Sequence, residues 1–118
     1  GLKQGRPAAV LALAGFSCGA WVALKTSEQV PPGLMVSIAP PVGFRDFTDV
    51  RPPHCPWLAV QGEADEIVSA QTVLAWLSAQ NPVPEIIMMP DTSHFFHGKL
   101  LALREQVREV LSSNALSP

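Results

Sequence analysis

The chain has 118 residues, 47% of them hydrophobic and 15% charged, which indicates one small globular domain rather than a disordered segment. A net charge of −2 excludes the basic surface typical of nucleic-acid-binding proteins, and no apolar run is long enough to span a bilayer. Cys18 and Cys55 lack any motif spacing and read as reduced thiols, so we expect a cytoplasmic protein.

Strands and helices alternate along the predicted structure. Four apolar runs bounded by Gly, Pro or polar residues predict the strands of a mostly parallel sheet, at residues 8–14, 34–39, 57–61 and 85–89. Helical spacing of apolar residues predicts flanking helices over 17–27, 69–80 and 98–113, with Ser69 as the N-cap of the second. The fold class is therefore α/β.

The segment 40–56 breaks this alternation. It holds five prolines and no helical period, which predicts a long loop with a functional or mobile character. We expect its polar residues to lie on the surface. A contact between Arg45 and the substrate is the alternative role for that residue. The other polar residues of this loop are Asp46, Asp49 and His54.

The pentapeptide GFSCG at residues 15–19 fits the pattern G-x-S-x-G between a predicted strand and a predicted helix. A strand-to-helix turn this tight strains the backbone of Ser17, and glycines on both sides remove side chains that would collide. Ser17 would then present its hydroxyl above the carboxyl end of the sheet, with the Cys18 N–H as an oxyanion donor. The alternative is a plain helix start capped by Ser17.

A nucleophilic serine needs a base, and the base needs a carboxylate that orients it. Asp65 follows the third predicted strand and His94 follows the fourth, so both loops leave the same sheet edge as Ser17. His97 is the rival base, although a cap or surface role suits it better. The rival acids are Glu63 and Glu66, and Asp91 is expected to begin a turn.

Four motifs carry a family resemblance: GFSCGA, APPV, GEADEIV and SHFFHG. With them the chain resembles the C-terminal part of an α/β hydrolase, and more narrowly the small, lidless bacterial α/β serine hydrolases. The resemblance implies Ser17 as nucleophile, Asp65 as acid and His94 as base. Cys18 stands where that family commonly has an aromatic residue, which should matter little because the backbone N–H acts.

The resemblance also implies a function and a boundary. We expect a carboxylesterase-like serine hydrolase that forms an acyl-enzyme with a small ester or thioester, without cofactor or metal. An acyltransferase or thioesterase on the same triad, an inactive fragment and a non-catalytic interaction module of this fold are the alternatives. The family has further strands and a second oxyanion donor upstream, so residues 1–118 read as a partial domain that pairs with an upstream half or with itself.

The remaining apolar candidates divide into substrate contacts and core. Phe16 and Phe44 are candidates for the lining of an acyl pocket, and Phe95 and Phe96 are expected to pack beneath the histidine loop. The side chain of Cys18 is expected to be buried and to point away from the site. Core packing is expected of three tryptophans, Trp21, Trp57 and Trp76.

Overall fold

Four parallel strands and three helices form the described part of the chain, residues 11–113 of a computed structural model. In chain order they are β1 (Ala12–Phe16), α1 (Cys18–Thr26), β2 (Leu34–Ile38), β3 (Trp57–Gly62), α2 (Ala70–Ser78), β4 (Glu85–Met89) and α3 (Leu100–Ser112). The strands are ordered β1-β2-β3-β4, and every neighbouring pair is parallel. The predicted α/β class and parallel four-stranded sheet are confirmed.

The predicted elements match the observed ones closely except at the first strand. Residues 8–10 of that prediction lie outside the described residues, and β1 continues two residues beyond the predicted end. The extension exists because Gly15 and Phe16 still pair with β2, opposite Ser37 and Ile38. The predicted N-cap of α2 is confirmed, since the Ser69 side chain accepts a hydrogen bond from the Thr72 N–H.

The core has two halves, one on each face of the sheet. Alternate residues of a strand point to opposite faces, so Ala59 joins one cluster while Leu58 and Val60 join the other. The first cluster packs α1, α2 and three apolar residues of the loop 40–56 against the sheet. The second cluster lies beneath α3. β3 is buried along its whole length, which explains its continuous apolar sequence.

The loop 40–56 is tied into the first cluster. Phe47 is buried there, and the Trp21 Nε1–H donates to the Asp46 carbonyl oxygen at 3.1 Å. Arg45 lies over the Trp21 ring at 5.3 Å from its centroid. Core packing of the tryptophans holds, since Trp57 is buried and both Trp21 and Trp76 pack against this cluster.

The second face of the sheet is only partly covered by the described residues. α3 has no fully buried residue, and Leu100 and Leu101 are 64% and 74% exposed. Within residues 11–113, none of the helices is both long enough and apolar enough to cross a membrane.

Candidate active site

Ser17 lies on a strained turn where β1 passes into α1. Its φ of 55° and ψ of −123° are in a region that L-residues rarely adopt. The turn is anchored by a hydrogen bond of 2.8 Å from the Ser17 N–H to the Ile38 carbonyl oxygen at the end of β2. The hydroxyl group is thereby presented at the carboxyl edge of the sheet.

The two glycines of the pentapeptide are not equivalent. A Cβ atom at Gly15 would lie 2.1 Å from the carbonyl oxygen of Gly19, so only glycine fits there. A Cβ atom at Gly19 would meet no described atom within 4 Å. The expectation that both glycines relieve a collision is therefore correct for Gly15 and, as far as residues 11–113 are concerned, wrong for Gly19.

Asp65 is held on a tight turn just beyond β3. Its Oδ1 accepts hydrogen bonds from the backbone N–H groups of Ile67 and Val68, each at 2.8 Å. Its Oδ2 accepts one from Gln61 Nε2 at 3.0 Å and lies 2.7 Å from His94 Nδ1. All four acceptor positions of the carboxylate are therefore occupied.

These contacts decide the charge state of Asp65. Burial, the largest influence, would by itself raise the pKa of this carboxyl group, but its hydrogen bonds together hold the pKa below the ordinary value. Each donor stabilises the ionised form; the donors are Val68, His94, Ile67 and Gln61. The group is therefore an anion at neutral pH and lies in contact with the His94 ring.

His94 lies in the loop between β4 and α3 and is 2% exposed. Asp91 and Phe96, on either side of it, have φ values of 52° and 56°, so the loop bends sharply before and after the imidazole. The His94 N–H donates to Glu66 Oε1 at 3.1 Å, which ties this loop to the Asp65 turn. A Cβ atom at Gly62, the last residue of β3, would lie 2.3 Å from the Thr92 carbonyl oxygen, so this loop packs directly against the end of β3.

Ser17, His94 and Asp65 form one continuous chain of contacts. Ser17 Oγ lies 2.9 Å from His94 Nε2, and His94 Nδ1 lies 2.7 Å from Asp65 Oδ2. The imidazole can therefore carry its proton on Nδ1, toward the carboxylate, and accept the hydroxyl proton at Nε2. The His94 and Asp65 side chains are 3% and 1% exposed, which shields their interaction from water.

The rival residues lie elsewhere or act differently. His97 is exposed, and its backbone N–H donates to Ser93 Oγ. Glu63 and His54 are exposed, and Glu66 contacts the backbone of His94 rather than its ring. The other candidates, Asp46, Asp49 and Asp91, are exposed as well.

Two phenylalanine rings lie beside the His94 ring, and one of them is more exposed than the sequence predicts. The Phe16 ring lies 5.4 Å from the His94 ring, and the Phe95 ring lies 4.9 Å from it on another side. Phe95 is 61% exposed, so the expectation that it packs beneath the loop is wrong, whereas Phe96 is buried. Phe44 is 65% exposed, and among residues 11–113 its ring makes no aromatic contact with this group.

The cysteine after Ser17 is exposed, which contradicts the expected burial of its side chain. The side chain leaves the helix at its first turn, where the described residues do not cover it. Its backbone N–H, at the N-terminus of α1, makes no hydrogen bond to any residue of 11–113 and can donate to a ligand oxygen. Cys55 is half-buried, and burial raises the pKa of its thiol.

Among residues 11–113, no three His, Cys, Asp or Glu side chains form a group that could hold a metal ion.

A parallel sheet with a strained serine between β1 and α1, and with Asp65 and His94 on loops at the same edge, is the α/β-hydrolase fold. The chain is similar to an α/β serine hydrolase without a lid from Xanthomonas campestris, with 50% identity and a TM-score of 0.80. It is also similar to an α/β serine hydrolase homologue from Coxiella burnetii, with 37% identity and a TM-score of 0.82.

These similarities cover most of this chain and about half of each solved structure. The alignments include 85% and 87% of this chain, but 45% of the Xanthomonas protein and 50% of the Coxiella protein. Neither a protein-family model nor a curated protein matches the sequence. The predicted resemblance to lidless α/β serine hydrolases is confirmed.

Sequence reasoning missed two polar residues of this site. The apolar pattern places Gln61 in a strand, and in the structure its amide contacts Asp65. The sequence offers Glu66 as a rival acid, and in the structure its carboxylate accepts a hydrogen bond from the His94 backbone. The signal for Gln61 was present, since an amide in an otherwise apolar buried strand requires partners.

Proposed function

We propose that this protein is a serine hydrolase that cleaves a carboxylic ester or thioester through an acyl-enzyme. The observation that carries the proposal is the contact chain Ser17 Oγ to His94 Nε2 at 2.9 Å and His94 Nδ1 to Asp65 Oδ2 at 2.7 Å. The similar structures that are named serine hydrolases support the same reaction class.

The steps follow from the positions of the three side chains. Ser17 Oγ attacks the substrate carbonyl carbon while His94 Nε2 takes the hydroxyl proton, and Asp65 stabilises the imidazolium that forms. The bond from the carbonyl carbon to the leaving oxygen or sulfur then breaks, and His94 returns the proton to the leaving group. Water repeats the sequence on the acyl-enzyme, which releases the carboxylic acid and restores Ser17.

The Cys18 N–H is the proposed donor to the oxyanion. It lies at the N-terminus of α1, where the helix dipole also favours negative charge. One such donor contributes on the order of a hundredfold to a thousandfold in rate. The described residues supply this one donor. A second donor is proposed to come from a segment that pairs with the outer edge of β1, the edge strand of the described sheet.

The substrate surface near the serine is aromatic rather than charged. Phe16 and Phe95 are 39% and 61% exposed, and their ring centroids lie 5.8 Å apart beside His94. Exposed phenyl groups at a reactive serine favour an apolar acyl or alcohol group. We therefore propose an uncharged ester with a small apolar chain as the substrate class. Phe44, which is 65% exposed within the loop 40–56, remains a proposed lining residue.

Covalent labelling of the purified protein with a fluorophosphonate tests the proposal. The wild type should gain one phosphonyl group on the peptide that contains Ser17, as measured by mass spectrometry. Ser17→Ala should not be labelled, whereas Ser78→Ala, which alters an exposed serine at the end of α2, should react like the wild type. A wild type that resists the probe, or equal labelling of Ser17→Ala, would contradict a serine nucleophile.

A further inference from the structure

Gln61 is the only polar side chain of β3 and is fully buried. Its Nε2 donates hydrogen bonds to the Gly62 carbonyl oxygen and to Asp65 Oδ2, both at 3.0 Å. Asp65 Oδ2 is the same oxygen that contacts His94 Nδ1. The amide therefore lies directly behind the acid of the proposed triad.

The orientation of this amide is fixed by its partners. A carbonyl oxygen and a carboxylate oxygen can only accept, so the NH₂ end must face both of them. The opposite end, Gln61 Oε1, is buried and has no partner among the described residues. An unpaired buried acceptor is unfavourable for folding, and an apolar side chain of similar length would avoid it. Space filling therefore does not account for an amide at this position.

The contacts of Asp65 show what the amide does. Two backbone N–H groups hold Oδ1, but without Gln61 the only partner of Oδ2 would be His94, the group that exchanges protons in the proposed reaction. Gln61 holds Oδ2 independently of the protonation state of that ring. It thus fixes the plane of the carboxylate throughout the reaction cycle.

We propose that Gln61 is a positioning residue, whose amide holds Asp65 Oδ2 in line with His94 Nδ1. The proposal rests on the proposed function for its catalytic consequence, but the positioning itself is a property of the folded chain. Gln61 makes no hydrogen bond to Ser17 or His94, and it acts through Asp65.

The effect of Gln61 on the pKa of Asp65 distinguishes a positioning residue from one that only fills space. A donor to the ionised carboxylate favours that form, so loss of the Gln61 amide raises the pKa of Asp65 relative to the wild type. The other ionisable groups near the carboxylate are His94, in direct contact, and Glu66, whose Oε1 accepts from the His94 backbone. A residue that only fills space would not alter the titration of Asp65.

The test compares Gln61→Met with Ser37→Ala. Methionine has a similar length and no donor. Ser37 is buried on β2 and accepts from Trp57 Nε1 at 3.0 Å, so its alanine variant loses a buried hydrogen bond away from Asp65. The Asp65 carboxyl titration, followed by ¹³C NMR, should move to higher pH in Gln61→Met and stay at the wild-type midpoint in Ser37→Ala.

Fluorophosphonate labelling gives the catalytic readout. The labelling rate of Ser17 should fall about tenfold to a hundredfold in Gln61→Met, since small misplacements in a reacting site have effects of this size. Ser37→Ala should label at close to the wild-type rate. An unchanged Asp65 titration together with equal rates in both variants would overturn the proposal.

NMR titration of the wild type and its fluorophosphonate labelling show whether the positioning of Asp65 or the proposed function has failed. In the wild type, the Gln61 side-chain NH₂ signals should shift with the same midpoint as the Asp65 carboxyl, which needs no variant to fold; signals that stay constant through that titration would overturn the contact. If the wild type is not labelled at all, the proposed function fails, whereas the shifted titration in Gln61→Met still supports the positioning of Asp65.

Discussion

At the scale of single residues, the proposed role of Asp65 is to set which tautomer His94 adopts. In Asp65→Asn, the amide NH₂ group can turn toward His94 Nδ1, which then accepts a hydrogen bond and leaves the proton on Nε2. That tautomer cannot take the Ser17 proton, so the labelling rate should fall by about four orders of magnitude. His97→Gln, which alters an exposed imidazole, should label normally, and comparable losses in both variants would contradict His94 as the base.

Asp65→Asn should also change how the free energy of unfolding depends on pH below neutrality. Because the pKa of Asp65 is lowered in the folded chain from 3.8, ionisation of this carboxyl stabilises the fold. The stabilisation is complete above the unfolded-state pKa and is lost as the pH falls through the folded-state pKa. Between about pH 5 and pH 3, urea unfolding should show a smaller loss of stability in Asp65→Asn than in the wild type. If the free energy of unfolding fell equally with pH in Asp65→Asn and the wild type, the lowered pKa of Asp65 would be contradicted.

The sequence predicted that Ser17, Asp65 and His94 meet at one edge of the sheet, but not which polar groups lie behind them. Ser17, Asp65 and His94 could be predicted because each follows a recognisable strand, and parallel strands bring their carboxyl ends to one edge. The contact of Glu66 could not be predicted in this way, because its partner, His94, lies on another loop. Gln61 contacts Asp65 only four residues further along the chain, but the strand pattern does not show where its amide points. The exposure of Phe95 also depends on how the histidine loop bends at Phe96, which has a φ of 56°.

At the scale of secondary-structure elements, the turn between β1 and α1 requires glycine on one side only. Gly15→Ala would place a methyl group 2.1 Å from the Gly19 carbonyl oxygen, so the turn must shift. We expect a destabilisation of about 1–3 kcal/mol and a loss of Ser17 labelling. Gly19→Ala is the matched control, because alanine meets no described atom there and favours a helix.

Thermal unfolding followed by circular dichroism checks this pair. Gly15→Ala should lower the melting temperature, and Gly19→Ala should leave it equal or raise it. Equal losses in both variants would show that the turn is constrained on both sides.

The elements themselves were predictable because buried parallel strands have continuous apolar sequences. β2, β3 and β4 match the predicted runs to within one residue at each end. Helix ends were less exact: α3 begins at Leu100 rather than at residue 98, since Gly98 adopts a φ of 71°. Apolar periodicity also could not show that Leu100 and Leu101 stay exposed, because the pattern does not reveal which helix face has a partner.

At the scale of the whole molecule, one face of the sheet stands out. β1 is an edge strand of the described sheet, and its residues Ala12, Ala14 and Phe16 are exposed on the face that also carries α3. Beside them lies an apolar groove of about 510 Å³, whose lining includes Ile38, Leu103 and Val107. An unpaired strand edge next to an apolar surface promotes association with another chain.

We propose that a second copy of this chain covers that edge in the purified 118-residue protein. Sedimentation velocity should therefore show association that increases with concentration. Ala14→Lys adds a charge to the exposed face of β1 and should shift the protein toward monomer, as lysines do at natural sheet edges. Gln71→Lys adds the same charge at an exposed position of α2 and should associate like the wild type. A wild type that remains monomeric at all concentrations, or equal dissociation in both variants, would show that β1 is not the contact.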